Sequence, residues 1–378
     1  MQGADVVVVG GGIVGLSVAH GLRERGVDVA VLESGRCGLG STAKATGGIR
    51  TQFGSEVNVR MSLLALEHFR TWAERYGGDA GYRPVGYLFL ATAEAHLESQ
   101  RQGASLQRSL GARVELLEPD EIARRLPGVV LDGVVGASLG PDDGLGDPGA
   151  AVTSLLSACR RLGVRVEEQT PVTRLEIRGG RVSGVRTAGG ATSAGVTVLA
   201  TGAWTSPLAA TAGVDLPVTP HHRQVYRAAR TIGVPTPSPL VVDLGSGVYF
   251  HADGPGLVFG GGDRETEPAW DDIFRPGEAP RIIELLTRRL PEMLDAELSG
   301  GWAGLREMTP DDLGIVGPAP GVEGLHVAAG FSGHGFMHAP AVGEIVASQL
   351  TGRPTPFDVS ALDPARFQGE VRVEPYAF

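Results

Sequence analysis

Three glycines near the start of the chain, Gly10, Gly12 and Gly15, have the G-x-G-x-x-G spacing of a turn that binds phosphate groups. Without Cβ atoms, the backbone of such a turn can approach a pyrophosphate, and a helix that begins there adds the positive end of its dipole. Glu33 closes the next apolar run, where a carboxylate would accept a hydrogen bond from a ribose hydroxyl. These residues predict a dinucleotide-binding site.

The elements that would position this site are visible in the pattern around it. The valine run at 6–9 is short, apolar and β-branched, which is typical of a buried parallel strand. Apolar residues recur at helical spacing over 13–25, and a second apolar strand covers 27–32. The segment therefore predicts one complete βαβ unit.

The glycine spacing alone is a weak signal. The chain has 57 glycines in 378 residues, so this pattern is expected about once by chance. Gly144, Gly146 and Gly149 repeat it, but no apolar strand precedes this copy and Pro148 lies within it. The alternative for the first copy is an ordinary buried strand and glycine turn, and the surrounding βαβ pattern favours the dinucleotide.

Composition bounds the class of protein. The net charge of −10 argues against nucleic acid as a partner, because neutralising phosphates requires a basic face. Two cysteines, Cys37 and Cys159, cannot form a disulfide framework and lack the neighbours of a metal site, so we expect no metal and a reducing compartment, the cytoplasm. No apolar run approaches the ~18 residues of a membrane span, so we expect no integral membrane segment. Lys44 is the only lysine.

The rest of the chain alternates helical and strand patterns without repeats or a flexible linker, which favours two interleaved domains. An apolar strand at 196–200 ends in Thr201 and Gly202, a turn of small residues that leaves room for a ligand, as the first glycine turn does. Helices are predicted over 56–76, 94–110, 149–162 and 282–290, with a last one ending at 350. Further strands are predicted within 84–92 and over 224–228, 240–243, 248–251, 257–260, 302–309 and 325–329, with a meander after 165.

Five segments, in this order along the chain, resemble the D-amino-acid oxidase superfamily of flavoproteins. They are VVVVGGGIVGLSVAHGL with VLE, STAKATGGIR, LATGAW, WAGLREMTPDD and HVAAGFSGHGFMHAPAVGE, and they span residues 5–350. The pattern is nearest to glycine oxidase, sarcosine oxidase and the flavin-linked proline and dimethylglycine dehydrogenases. An ordered set of this kind is more specific than any single motif.

The resemblance implies an α/β fold (α+β overall) in which a Rossmann-like FAD-binding domain with a parallel sheet is interleaved with a second domain. That second domain would bind the substrate and would be built on a large antiparallel sheet. The implied FAD-binding domain consists of residues 1–85, 142–222 and 302–378, and the substrate-binding domain of residues 86–141 and 223–301.

The motifs and the resemblance together give the expected contacts of FAD. Sarcosine oxidase holds its flavin through a cysteine at the position of Gly304, so we expect noncovalent FAD here. The expected cofactor-binding residues are Gly10, Gly12, Ile13, Val14, Gly15, Glu33, Ser34, Ser41, Thr42, Lys44, Thr46, Gly47, Gly48, Val172, Thr201, Gly202, Trp204, Gly330, Gly333, His334, Gly335 and Phe336.

The activity implied by the resemblance is oxidation of the C–N bond of a small amino acid or secondary amine, by hydride transfer to flavin N5. Arg306 and Arg50 are the expected anchors for the substrate carboxylate, because a guanidinium offers two parallel donors. Tyr249 and His251 lie on a strand expected to face the flavin and are further candidates. The alternative is an ion pair for each arginine and an ordinary core or edge position for Tyr249 and His251.

Two departures from sarcosine oxidase bear on the electron acceptor. Its second carboxylate anchor, a lysine, is Met337 here, and its oxygen-activating lysine aligns with Val258. Loss of a cation beside the flavin favours a dehydrogenase over a fast oxidase. We expect oxygen, a quinone or a redox protein as acceptor, and possible homo-oligomers or larger complexes. The alternatives are oxidation of a C–O bond, as in 2-hydroxyacid or glycerol-phosphate relatives, and a non-catalytic flavin-binding assembly or electron-transfer subunit.

Overall fold

The computed structural model describes residues 3–230, 233–262, 267–369 and 373–374. Its strands are β1 (Ala4–Val9), β2 (Val29–Leu32), β3 (Gly48–Ile49), β4 (Tyr87–Ala91), β5 (Glu115–Leu117), β6 (Gly136–Gly140), β7 (Gly144–Leu145), β8 (Arg165–Glu167), β9 (Val172–Arg178), β10 (Arg181–Thr187), β11 (Gly190–Leu199), β12 (Thr219–Ala228), β13 (Leu240–Asp243), β14 (Val248–Asp253), β15 (Gly256–Gly261), β16 (Leu298–Met308), β17 (Ile315–Pro318) and β18 (Leu325–Ala329). Its α-helices are α1 (Ile13–Glu24), α2 (Glu56–Arg70), α3 (Trp72–Tyr76), α4 (Glu94–Ser109), α5 (Pro119–Arg125), α6 (Pro148–Arg161), α7 (Thr205–Ala210), α8 (Ala279–Leu286) and α9 (Gly335–Leu350).

The first sheet contains the predicted βαβ unit at its centre. Its strand order is β17-β18-β11-β1-β2-β8, and the five strands from β18 to β8 run parallel. The meander β9-β10 continues antiparallel from the first half of β11. Strands from distant parts of the sequence therefore meet at one edge, where their carboxyl ends can bind a ligand.

The four valines of β1 alternate between two hydrophobic cores. Val6 and Val8 face a core that includes α1 and α9, whereas Val7 and Val9 face the core beneath the meander. All four side chains are buried, which is typical of a central parallel strand covered on both faces.

The second sheet has the strand order β16-β12-β15-β14-β13-β4-β6-β5. Its neighbouring strands are antiparallel except for β13 and β4, which run parallel. Helix α8 and the short helix at Pro291–Asp295 cover one face, with Phe250 and Phe259 in the core between them. The predicted large antiparallel sheet is thus present, with one parallel pair inside it.

Two local patterns differ from the sequence prediction. The helix predicted over 56–76 is broken at Thr71, whose backbone leaves helical geometry while its hydroxyl donates to Glu67 O. The second glycine copy does not form a phosphate turn. Gly144 pairs with Ile49 in a two-stranded ribbon, and Asp147 caps α6 by accepting from the N–H groups of its first turn.

The mixed architecture agrees with the predicted fold class, in which a Rossmann-like parallel sheet accompanies a large antiparallel one. The domain boundaries stay a prediction, and β12 and β16 each cross one of them. Within the described ranges, no helix has both the length and the apolar character needed to cross a lipid bilayer.

Candidate active site

A cavity of about 1270 Å³ lies between the two large sheets. The carboxyl ends of β1, β2 and β11 line one part of it, and strands β12 to β16 of the second sheet line the other. Apart from Gly15 and Gly330, the predicted cofactor-binding residues all line this cavity, as do Arg50, Arg306 and Tyr249. The cavity therefore brings together residues that are far apart in the sequence.

The glycines of the turn are packed closely against other backbone atoms of the protein. Gly10 has a positive φ of 106°, and a Cβ there would collide with the carbonyl oxygen of Ala200. Gly12 is the N-cap residue of α1 and has no side chain to cap the helix, and the first turn of α1 has no acidic residue, so this N-terminus suits an anion. Gly15 packs against the turn on the side away from the cavity, because a Cβ there would collide with Gly10 O. It therefore does not line the cavity.

Glu33 is held in place by the backbone around it. Its Oε2 accepts a hydrogen bond of 2.7 Å from Gly11 N–H, and its Oε1 accepts one of 2.7 Å from Gly35 N–H. Ser34 Oγ adds a third bond of 3.1 Å to Oε1. The carboxylate is thus fixed at the cavity wall, which also contains Ser34 and Val172.

The segment Ser41–Lys44 forms a short 3-10 helix that connects the two sheets. Thr42 Oγ1 accepts a bond of 3.2 Å from the N–H of Ile13, the first residue of α1. On the other side, Ser41 Oγ donates to Leu305 O of β16 at 3.0 Å. This segment therefore joins the glycine turn to the strand that contains Arg306.

Lys44 packs against Gly304 of β16. A Cβ at residue 304 would lie 2.6 Å from the Cβ of Lys44, so the lysine stem occupies the space that a side chain would need. Trp302 Nε1 donates a bond of 2.8 Å to Lys44 O and anchors the backbone there. The only lysine of the chain thus lines the cavity on the wall that carries Arg306.

Arg306 lies near the end of β16 and is packed against the loop before α9. Its Nε and Nη2 donate to Ser332 O at 2.9 and 2.6 Å, which fixes the plane of the guanidinium. Gly333 has φ of +91°, and a Cβ there would collide with Nε. Burial, with a contribution from the charge of Arg223, lowers the pKa of Arg306 to about 10, so it remains a cation at neutral pH.

Arg50 is 2% exposed and is surrounded by aromatic rings. Its guanidinium carbon lies 4.0 Å from the centroid of the Phe53 ring, and Nη1 donates to Gln52 O at 2.6 Å. Its Nη2 lies 3.1 Å from His334 Nε2, which must accept because a guanidinium only donates. Burial and the nearby arginine charges hold the pKa of His334 well below its usual range, so His334 is a neutral acceptor.

Tyr249 and His251 lie two residues apart on β14 and are placed differently. Tyr249 lines the cavity, and its hydroxyl lies close to Gly260 on the neighbouring strand β15. His251 is buried further along the strand, where its Nδ1 lies 3.0 Å from Ala252 O, and it does not line the cavity. Strand periodicity gave the two residues a common face, but it did not show where along the strand the cavity ends.

Several residues of the cavity wall were missed by sequence reasoning. Arg223 on β12 is opposite Gly304 in the strand register, so only the pairing of β12 with β16 reveals it. Asp312 is the last residue of the segment WAGLREMTPDD that resembles the superfamily, and its proximity to Arg306 could have been suspected from that spacing. Arg36 and Glu307, which also line the cavity, are adjacent to residues that were singled out.

Comparison with known proteins gives a consistent result. Residues 5–349 match the family described as FAD dependent oxidoreductase. FAD-dependent oxidoreductase domain-containing protein 1 of Xenopus laevis is 32% identical to this chain over 396 residues, covering 92% of this chain and 79% of that protein.

Solved structures show the same similarity. The crystal structure of L-proline dehydrogenase from P. horikoshii has a TM-score of 0.92 and 33% identity, and the match covers 98% of this chain and 100% of that one. Glycine oxidase from Geobacillus kaustophilus has a TM-score of 0.85 and 27% identity, with 97% and 99% of the two chains covered. The predicted superfamily, fold class and enzyme class are confirmed. This chain belongs to the FAD-dependent oxidoreductases of the D-amino-acid oxidase superfamily.

Proposed function

We propose that this enzyme oxidises the C–N bond of a small amino acid or secondary amine, of the sarcosine, glycine, proline or D-amino-acid type, and that it works as a dehydrogenase with noncovalent FAD. The observation that carries the proposal is one shared cavity. The glycine turn and Glu33 line one end of it, and Arg306 and Tyr249 line the other.

The residues present fit an extended FAD. The glycine backbone at Gly10 and the N-terminus of α1, whose N-cap residue Gly12 has no side chain, suit a diphosphate, and the fixed carboxylate of Glu33 suits a ribose hydroxyl. Buried Glu307 Oε2, which has no hydrogen-bond partner among the described residues, adds a polar atom in the same wall. When bound, FAD accepts a hydride from the substrate at N5.

Arg306 is the proposed anchor for the substrate carboxylate. Its guanidinium plane is fixed by Ser332 O, which lowers the entropy lost on binding and suits a bidentate contact. Tyr249 lines the same cavity as Arg306, so its hydroxyl is proposed to donate a second hydrogen bond to the substrate carboxylate. The anchor orients the reacting C–H bond, and this reaction requires such orientation more than a strong acid or base.

Arg50 has a second proposed role, which depends on its charge. It is held by Gln52 O and neutral His334, so its position is fixed before substrate enters. Two cations close to a substrate amine favour its neutral form over the ammonium, because like charges repel. The neutral amine is the form from which a hydride can leave, so Arg50 would support the reaction without direct proton transfer.

Gly304 supports noncovalent binding of FAD. It stands where sarcosine oxidase has its flavin-linking cysteine, and the stem of Lys44 fills the adjoining space. The two cysteines do not line the cavity, and burial raises the pKa of the Cys37 thiol to about 12. We therefore expect acid precipitation to release FAD into the supernatant, and a yellow precipitate would contradict this.

The proposal of a dehydrogenase rests on the absence of the lysine that activates oxygen in sarcosine oxidase. Val258, which aligns with the oxygen-activating lysine of sarcosine oxidase, is buried in β15 and does not line the cavity. Lys44 does line the cavity, on the Gly304 wall, so its contribution must be tested directly. A quinone or a redox protein is the proposed acceptor. A cytoplasmic location and the assignment of the second sheet to substrate binding are likewise proposed.

The experiment that tests the function is anaerobic bleaching of the flavin by a panel of amines, amino acids and 2-hydroxyacids. We expect bleaching by an amino acid or secondary amine, and loss of that bleaching in Arg306→Ala with FAD still bound. Bleaching by hydroxyacids alone would favour oxidation of a C–O bond. A flavin that no member of the panel reduces, but that a redox partner does, would favour an electron-transfer subunit.

A further inference from the structure

Glu307 lies between the loop before α9 and the turn that follows β11. It lies in β16 directly after Arg306 and lines the cavity. One carboxylate oxygen, Oε1, accepts a hydrogen bond of 3.3 Å from Phe331 N–H, and Gly330 N–H also bonds the carboxyl group. The other oxygen, Oε2, lies against the turn after β11, where a Cβ on Gly202 would be 3.1 Å away.

The two oxygens of Glu307 differ in their partners. Oε2 is buried and, within the part of the chain that the structure describes, has no hydrogen-bond partner. Burial raises the pKa of Glu307 to about 7, although the two backbone N–H groups favour the ionised form. A buried oxygen without a partner is costly as a carboxylate and less costly as a hydroxyl, so the carboxyl group changes protonation near neutral pH.

Among the described residues, no charged side chain contributes to the pKa of Glu307. The turn 201–204 contains no titratable group, and the first turn of α9 has no acidic residue. The loop before α9 contributes neutral His334, and β12 places Pro220 opposite Glu307, followed by His221 opposite Arg306 and His222 opposite Leu305. On its own strand, Arg306 donates to Ser332 O. None of these groups is among the causes that set the pKa of Glu307.

The same wall must receive negative charge when the cofactor binds. Gly202 follows β11, whose end lies against Gly10 of the phosphate turn. Bringing an anionic diphosphate to this wall opposes ionisation of a nearby carboxyl group. The protonated form carries no charge and therefore does not repel the diphosphate.

We propose that Glu307 is a proton-linked cofactor residue: it is protonated when FAD is bound, and the empty protein takes up a proton there as FAD binds. The inference rests on FAD as the ligand of this cavity, as in the proposed function. It does not depend on the identity of the substrate. Its consequence is an affinity for FAD that falls as the pH rises above neutrality.

The test is titration of the apoprotein with FAD, followed by quenching of flavin fluorescence, from about pH 6 to about pH 8.5. We expect a constant Kd at the acidic end, where Glu307 is protonated in both states. Above about pH 7 the Kd should rise, by at most about tenfold per pH unit for one proton. Glu307→Gln mimics the protonated form, so its Kd should remain low throughout this range.

Asp143→Asn is the matched control. Asp143 is also a buried carboxyl whose pKa burial raises, to about 6, but its oxygens accept bonds from Thr51 and Gln52 and it does not line the cavity. This variant should keep the rise in Kd shown by the unaltered protein. Calorimetry of the unaltered protein in buffers of different ionisation enthalpy should detect uptake of a proton on binding, whether or not the variants fold.

The outcomes separate this inference from the proposed function. If the unaltered protein binds FAD with no change of Kd over this range and no proton uptake, the role of Glu307 is refuted while the cofactor stands. An unchanged rise in Glu307→Gln would also overturn it. If the protein does not bind FAD at any pH, the proposed function itself fails.

Discussion

The two ends of the cavity are built in different ways. The proposed dinucleotide end comes from one continuous stretch, in which Gly10, Gly12 and Glu33 are positioned by a single βαβ unit. The proposed substrate end is assembled from Arg50, Tyr249 and Arg306, which lie on separate segments of the chain. We therefore expect changes at the first end to alter the affinity for FAD. Changes at the second end should alter the rate at which substrate reduces the flavin.

The largest expected effect is at the substrate end. Arg306→Ala removes the fixed guanidinium, so we expect the second-order rate of anaerobic flavin reduction to fall about a hundredfold or more. The Kd for FAD should change by less than about threefold, since a loss of tenfold would mean about 1.4 kcal/mol of cofactor binding. Arg223→Ala is the control for loss of charge alone, and an equal effect there would weaken the assignment.

The dinucleotide end should show the opposite result. Glu33→Ala removes a charged hydrogen-bond acceptor worth about 1.5–3 kcal/mol, so the Kd for FAD should rise roughly tenfold to a hundredfold. Once saturated with FAD, the variant should be reduced by substrate at the normal rate. Glu167→Ala, an exposed carboxylate at the end of the neighbouring strand β8, is the control. Unchanged affinity in Glu33→Ala would refute the ribose assignment.

Tyr249 and His251 allow a smaller test on a single strand. Tyr249→Phe removes one hydroxyl at the cavity, and we expect a loss of about threefold to tenfold in the rate of flavin reduction at low substrate concentration. His251→Asn, outside the cavity, should leave both that rate and the Kd for FAD within about twofold. A larger effect of His251→Asn than of Tyr249→Phe would show that the substrate reaches deeper than the cavity wall.

Lys44 is expected to show the smallest effect. If the enzyme is a dehydrogenase, reoxidation of the reduced flavin by air should be slow, and Lys44→Met should change its rate by less than about threefold. Lys44→Arg, which keeps the charge, is the control. Rapid reoxidation that Lys44→Met slows strongly would show that this lysine supplies the missing cation and that the enzyme is an oxidase.

The two ends of the cavity also differ in how far the sequence alone could predict them. Val6 to Val9, the glycine turn and Glu33 could be predicted because their pattern is local and is set by strand and helix periodicity. Arg306 and the loop at Gly333 were identified through their resemblance to a known superfamily. Arg223 could not be identified, because its approach to Arg306 depends on the register between β12 and β16.

Other differences between the sequence-based prediction and the structure also have physical causes. The break at Thr71 depends on a side-chain hydrogen bond that competes with the helix, and periodicity does not report it. The position of His251 depends on where the cavity ends along β14. Glu307 was missed because its significance is an orphaned oxygen, and only coordinates reveal which buried atoms lack partners.

The contact between Lys44 and Gly304 has a consequence for the evolution of this superfamily. The two positions share one volume, since any side chain at residue 304 would overlap the stem at residue 44. A relative that gains a side chain at position 304 must therefore have a shorter or differently oriented side chain at position 44. We therefore expect the residues at positions 44 and 304 to covary among relatives, with a change at one position followed by a change at the other.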